Sequence, residues 1–214
     1  MIDLHTHTIL SDGELVPSEI ARRAEKIGYR FLGLSDHVDS ANIDWVVPRL
    51  AAAAAEINPH LRVRVIPGAE LTHVPPGLIA TLAEKARRLG AAYVVVHGET
   101  PIEPVAPGTN RAALEAKVDI LAHPGLITAE EAELAARNNV RLEISARRGH
   151  SLTNGHVVRL ALAAGAGLIL NTDAHAPEDL ISLDFARVVA RGAGLSDDEF
   201  EQMRASVAGL AARW

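Results

Sequence analysis

The chain has 214 residues and a formal net charge of −6, with 48% hydrophobic and 22% charged residues, the composition of an ordinary globular protein large enough for one domain. It contains no cysteine, which excludes disulfides, a thiol nucleophile and thiolate-held metals, so any metal must be held by His, Asp and Glu. The negative charge disfavours passive binding to a polyanion, and the longest apolar run, Leu160 to Leu170, is 11 residues, well short of the ~20 that span a membrane. No apolar run develops at the N-terminus, so no signal peptide is expected and the expected location is cytoplasmic.

Ile2 to Leu4 reads as a short strand running into His5-Thr6-His7. Side chains two apart on an extended chain project together, so His5 and His7 present two imidazoles at one place. Asp12 follows in a small polar turn and offers an oxygen donor there. A helix is expected from Pro17 to Ile27, with proline at its start and Gly28 past its end. Phe31 to Leu34 is a buried strand that leads to Ser35-Asp36-His37. An alanine-rich helix around Val47 to Ile57 comes next, then a strand from Arg62 to Ile66 that runs to Glu70. Pro75 to Leu89 is expected to be helical.

The fourth strand, Ala92 to Val96, ends on His97. A loop with prolines at 101, 104 and 107 precedes a helix near Arg111 to Ala116. The fifth strand, Val118 to Ala122, ends on His123, and Thr128 with Glu131 forms a capping box for the helix after it. Val140 to Leu142 is the sixth strand, ending on Glu143. Asn154 to Ala164 is helical, and the seventh strand, Gly167 to Leu170, ends on Asn171-Thr172-Asp173-Ala174-His175. Two helices close the chain, the second opened by Ser196 and Glu199 as a capping box.

Seven apolar strands alternating with helices imply a parallel sheet covered by helices. Each strand ends in a residue fit for chemistry: His5, His37, Glu70, His97, His123, Glu143 and Asp173, spaced 20 to 33 residues apart. An open sheet would gather ligands at one switch point, whereas a barrel brings every strand end to one rim. The expected architecture is therefore a single domain, residues 1–214, folded as a distorted seven-stranded (β/α)7 TIM-like barrel. Six histidines (His5, His7, His37, His97, His123, His175) with Asp12, Glu70 and Asp173 exceed the needs of one metal and point to two or three ions. A multinuclear site of that kind suits phosphate ester hydrolysis. Glu143 is read either as a ligand or as a carboxylate orienting a ligating histidine. His73 and His150 are within possible reach of the rim, and His60 and His156 are read as surface residues.

These motifs, in order, resemble the PHP (polymerase and histidinol phosphatase) family of metal-dependent phosphoesterases. The resemblance rests on Asp3-Leu4-His5-Thr6-His7-Thr8 with Ser11-Asp12-Gly13, Ser35-Asp36-His37, Gly68-Ala69-Glu70, His97, Ala122-His123-Pro124, Leu142-Glu143-Ile144 and Thr172-Asp173-Ala174-His175. It implies one ion held by His5, His7, Glu70 and Asp173, a second by Glu70, His97 and His123, and a third by Asp12, His37 and His175. The ions would be zinc, manganese or iron. Glu70, Asp173 and His175 are the expected catalytic residues around a metal-activated hydroxide. Arg147 and Arg148, just past the sixth strand, are the expected phosphate-binding residues, since arginine grips phosphate as a fork. The expected reaction is hydrolysis of a small phosphate monoester, histidinol-phosphatase-like, with a phosphodiesterase or exonuclease acting on oligonucleotides as the alternative. Extended nucleic-acid binding is disfavoured by the charge.

Two other classes compete. An amidohydrolase also begins with His-x-His, but its usual bridge is a carboxylated lysine, and Lys26, Lys85 and Lys117 all lie away from strand C-terminal ends. A non-catalytic barrel such as the ribonuclease P subunit should have lost ligands and gained basic charge, and this chain has done neither.

Overall fold

The computed structural model describes residues 1–214 and contains no helix long and apolar enough to cross a membrane. Eight strands form the sheet: β1 (Ile2–Asp3), β2 (Phe31–Leu34), β3 (His37–Val38), β4 (Arg64–Leu71), β5 (Tyr93–His97), β6 (Ile120–Ala122), β7 (Arg141–Ser145) and β8 (Leu168–Asn171). All pairings are parallel, in the order β1-β2-β4-β5-β6-β7-β8. β2 and β3 both run along β4, Phe31 opposite Arg64 and His37 opposite Glu70, so they share one interrupted position. The barrel accordingly has seven staves.

Closure joins β1 to β8 with few bonds. Thr6 and Ala174 form an isolated parallel bridge, His7 N donates to Ala174 O (2.8 Å), and Leu4 N donates to the Asn171 side chain (2.9 Å). The barrel is nearly closed, as expected, and its rim is pinned where the site lies.

The helices are α1 (Pro17–Lys26), α2 (Ile43–Ile57), α3 (Ile79–Arg88), α4 (Thr109–Glu115), α5 (Ala129–Asn138), α6 (Asn154–Ala164), α7 (Leu183–Gly192) and α8 (Asp197–Ala211). The capping boxes of Thr128 with Glu131 and of Ser196 with Glu199 both form, satisfying donors that a helix start leaves free. α2 starts at Ile43, earlier than expected, with Pro48 inside it. The segment expected to be helical from Pro75 begins as a single 3-10 turn, Pro76–Leu78, before α3.

Two strands reach further than their apolar runs. β4 carries Glu70 inside it, and β7 continues through Glu143 to Ser145. Polarity is therefore a poor marker of where these strands stop: both carboxylates sit in the ladder and point into the barrel. At the barrel floor Tyr93 is fully buried and stacks on Trp214, ring centroids 5.1 Å apart. Room for its ring comes from Gly33 and Gly68, where a Cβ would fall 2.0 Å from the Tyr93 hydroxyl and 2.4 Å from its Cζ.

Candidate metal centre

The C-terminal rim holds a cleft of about 270 Å³ with no apolar side chain in its lining: Asp12, His37, Thr72, His73, His97, Glu103, Arg147, His150, Asp173 and His175. His5 and His7 lie just beneath it, fully buried, with ring centroids 5.1 Å apart, as alternation along an extended chain requires. All nine residues expected to hold metal reach this region from the ends of six of the seven staves.

They fall into overlapping groups whose donor atoms lie within 4.8 Å of one another: His5, His7 and Glu70; His5, His123 and Asp173; His7, Asp12, His37 and His175; and His97, His123 and His150. Glu70 Oε1 is 3.3 Å from His5 Nε2, and its Oε2 is 2.6 Å from His37 Nδ1 and 3.8 Å from His7 Nε2. In this arrangement Glu70 turns toward His5, His7 and His37, and the third donor beside His97 and His123 is His150. Asp173 spans the middle, 3.1 Å from His7 Nε2, 3.6 Å from His5 Nε2 and 3.7 Å from His123 Nε2.

Backbone strain collects at the same residues. His123 (φ 27°) and Asp173 (φ 54°) both adopt the left-handed region that side chains disfavour. Such conformations persist where surrounding structure over-determines them, and they cluster at functional sites. Here the two loops turn sharply just past β6 and β8 and aim their side chains inward.

The protonation pattern is that of a site built for cations. Burial disfavours a charged His5, yet Glu143, Asp173 and Glu70 overcome it and raise its pKa. His37 is raised to about 10, again against burial, by Glu70 and Asp12. Burial and neighbouring His37 drive His7 down, and burial with His97 drives His123 down. Glu70 is held ionised against burial by His5 and His37. Burial lifts Asp173 to about 7.

Several buried polar atoms have no hydrogen-bond partner: His5 Nε2, both ring nitrogens of His7 and of His123, and Glu70 Oε1. A buried polar atom left unpaired costs about 1–3 kcal/mol, and this many in one place need a common partner. Divalent ions fit: the donors are nitrogen and oxygen only and are already gathered within reach of one another.

Glu143 lies behind the His5 ring, where a carboxylate orients a ligating histidine, while its other oxygen, Oε1, has no hydrogen-bond partner. Its Oε2 lies 2.7 Å from His5 Nδ1 and also accepts from Asn171 Nδ2 (2.8 Å), leaving His5 Nε2 to face Glu70 and Asp173. The two arginines separate. Arg147 lines the cleft, its Nη1 donating to Asp173 O (2.9 Å) and lying 2.7 Å from His175 Nδ1, whereas Arg148 is exposed and absent from the lining, contrary to expectation. Arg147 is held inward by its bond to Asp173 O and by Asp179 Oδ2, 3.7 Å from its Nη1. His156 also departs from the surface role expected of it: its Nε2 donates to Ile127 O (2.7 Å) and ties α6 to the loop before α5.

Glu103 went unnoticed in the sequence. It stands in the proline-containing loop after β5, with its carboxylate 3.1 Å from His73 Nε2, 3.2 Å from His97 Nε2 and 3.4 Å from His150 Nε2. A hydrogen bond from His97 holds its pKa down to about 2. The available signal was a carboxylate between two prolines, in a loop leaving a strand that ends in histidine.

No established family profile matches the chain. It is 47% identical over 201 residues to the uncharacterized protein MJ1295 of Methanocaldococcus jannaschii, covering 93% of this chain and 92% of that one. It is 27% identical over 209 residues to the DNA polymerase/3'-5' exonuclease PolX of Bacillus subtilis, covering 88% of this chain but only 36% of PolX. Among solved structures, a chain of archaeal ribonuclease P with mature tRNA shares the fold at TM-score 0.67 and 15% identity, over 97% of this chain and 90% of that one. The histidinol phosphate phosphatase of Lactococcus lactis, complexed with zinc, L-histidinol and phosphate, does so at TM-score 0.58 and 14% identity, over 91% and 94%.

Proposed function

We propose, on the likeness to PolX and the gathered His, Asp and Glu donors, that the chain is a metal-dependent phosphoesterase of the PHP family, cleaving a small phosphate monoester. The observation that carries this reading is the set of unpaired buried donors beneath a cleft lined only by polar side chains. Two or three divalent ions, as zinc, manganese or iron, are the proposed cofactors. His5, His7, Glu70 and Asp173 would hold one, His97 and His123 a second, and Asp12, His37 and His175 a third; Glu70, expected also at the second site, faces the first group instead. When bound, such ions activate water and neutralise charge on the phosphoryl oxygens.

The chain's own residues account for the rest. Glu143 fixes the His5 ring so that Nε2 faces the cleft. Asp173 and Glu70 supply the anionic charge that lets several cations sit close together. Arg147 places a guanidinium at the cleft, where it can pair with a phosphate oxygen. A monoester dianion offers one more charged oxygen than a diester, so this cation favours monoesters. Arg148 drops out of the phosphate-binding role. The reading treats residues 1–214 as one domain in the cytoplasm, without extended nucleic-acid binding.

The second reading, a phosphodiesterase or exonuclease acting on oligonucleotides, is supported by the likeness to PolX. A scaffold role like that of a ribonuclease P chain is disfavoured by the complete donor set and the net charge of −6. Screening the manganese-loaded protein against phosphate monoesters, histidinol phosphate among them, and short single-stranded oligonucleotides separates these. Faster turnover of a monoester supports the first reading; faster degradation of oligonucleotides replaces it with the second.

A further inference from the structure

We infer that His150 is a metal ligand of this chain, completing a three-imidazole site with His97 and His123, and that Thr100 is its positioning residue. The inference rests on the metal-binding reading and adds a residue that the expected ligand sets do not contain.

His150 is held where a ligand must be. It begins the turn after β7, and its residue is only 3% exposed. The loop that carries it is stapled at its base: Ser145 N donates to Asn154 Oδ1 (3.0 Å) and Asn154 Nδ2 donates back to Ser145 O (2.9 Å). Gly149, at φ 90°, lets the chain turn back toward the rim. Ile102 packs over that glycine, where a Cβ would come within 2.6 Å of its Cδ1.

The ring itself is oriented from behind. Its Nδ1 lies 2.8 Å from Thr100 Oγ1, a buried hydroxyl on the loop after β5. With Nδ1–H donating to Thr100, the Nε2 lone pair is directed into the cleft, where it faces Glu103 Oε1 at 3.4 Å and Asp173 Oδ2 at 3.7 Å. This is the pairing by which proteins fix the tautomer of a ligating histidine. The ring stacks on His123, centroids 4.0 Å apart and planes 15° apart, and stands edge-on to His97 at 5.8 Å. One nitrogen from each of the three rings lies within 4.8 Å of the others, as donors around one ion must. His123 has no hydrogen-bond partner on either ring nitrogen, so the group lacks what would satisfy it as a purely structural cluster.

The test strips the protein with chelator, titrates it with zinc chloride, and reads heat and bound zinc per chain rather than turnover. The parent should bind two or three ions. His150→Gln should bind one fewer, or bind one at least tenfold more weakly, with the other sites unchanged. Thr100→Val, which keeps every ligand, should keep the stoichiometry and weaken that same site by about 10–100-fold, the usual effect of losing an orienting partner. Full stoichiometry and parental affinity in folded His150→Gln overturn the inference. If that variant does not fold by circular dichroism, unchanged zinc affinity in Thr100→Val overturns it instead. A parent that binds less than one zinc removes the metal reading itself, and this inference with it.

Discussion

Glu143 Oε2 lies 2.7 Å from His5 Nδ1, although the two residues are 138 positions apart and β7 hands the carboxylate across the barrel interior to β1. Both side chains are fully buried. Glu143→Gln keeps the shape but replaces a charged acceptor with a neutral amide. It should lower metal affinity at the His5 site about 10–100-fold, the range for losing a carboxylate behind a ligating histidine. Zinc titration of the stripped variant checks this; parental affinity would show that Glu143 serves packing alone.

Arg147 and Arg148 are neighbours with different prospects, because one lines the cleft and the other is exposed. Arg147→Ala should raise KM for a phosphate monoester by roughly 10- to 100-fold, from a charged hydrogen bond of about 1.5–3 kcal/mol. Arg148→Ala should leave it unchanged. Steady-state kinetics on both variants decide the matter, and equal effects would refute the assignment.

Metal-free protein should lose stability with rising pH. His37 is raised to about 10, burial being outweighed by Glu70 and Asp12, so its favourable contribution is complete below the unfolded value of about 6.5. That contribution falls away as pH climbs through the folded value. Urea midpoints of chelator-treated protein should drop between pH 7 and pH 10, and less steeply in His37→Gln. Parallel curves for parent and variant would remove His37 as the cause.

Gly68 is fixed by space, since its backbone φ is not among the left-handed ones. An added Cβ would lie 2.4 to 2.8 Å from three Tyr93 ring atoms. Gly68→Ala should therefore cost at least about 1–3 kcal/mol of overpacking. Combining it with Tyr93→Leu should relieve part of that cost, a non-additivity that urea denaturation of the four proteins would measure.

The ends of the staves were legible because a parallel strand buried on both faces reads as an unbroken apolar run, and His5, His37, His97, His123 and Asp173 interrupt it where burial by helices stops. The barrel followed from counting such ends. Glu70 and Glu143 were placed a little short of their true depth, because a polar residue inside a strand looks like the residue after one.

What only the tertiary structure decided lies in the loops and in pairings between distant staves. No local pattern distinguishes Arg147 from Arg148; contacts of Arg147 with Asp173 and Asp179, beyond the eighth strand, do. Nor does any spacing bring Thr100 to His150, or Glu103 to three histidines from separate segments. Periodicity and strand-end chemistry act between near neighbours and survive in the sequence. Contacts across a barrel mouth depend on how each loop is aimed, which is fixed only when the staves have closed and the loops pack on one another.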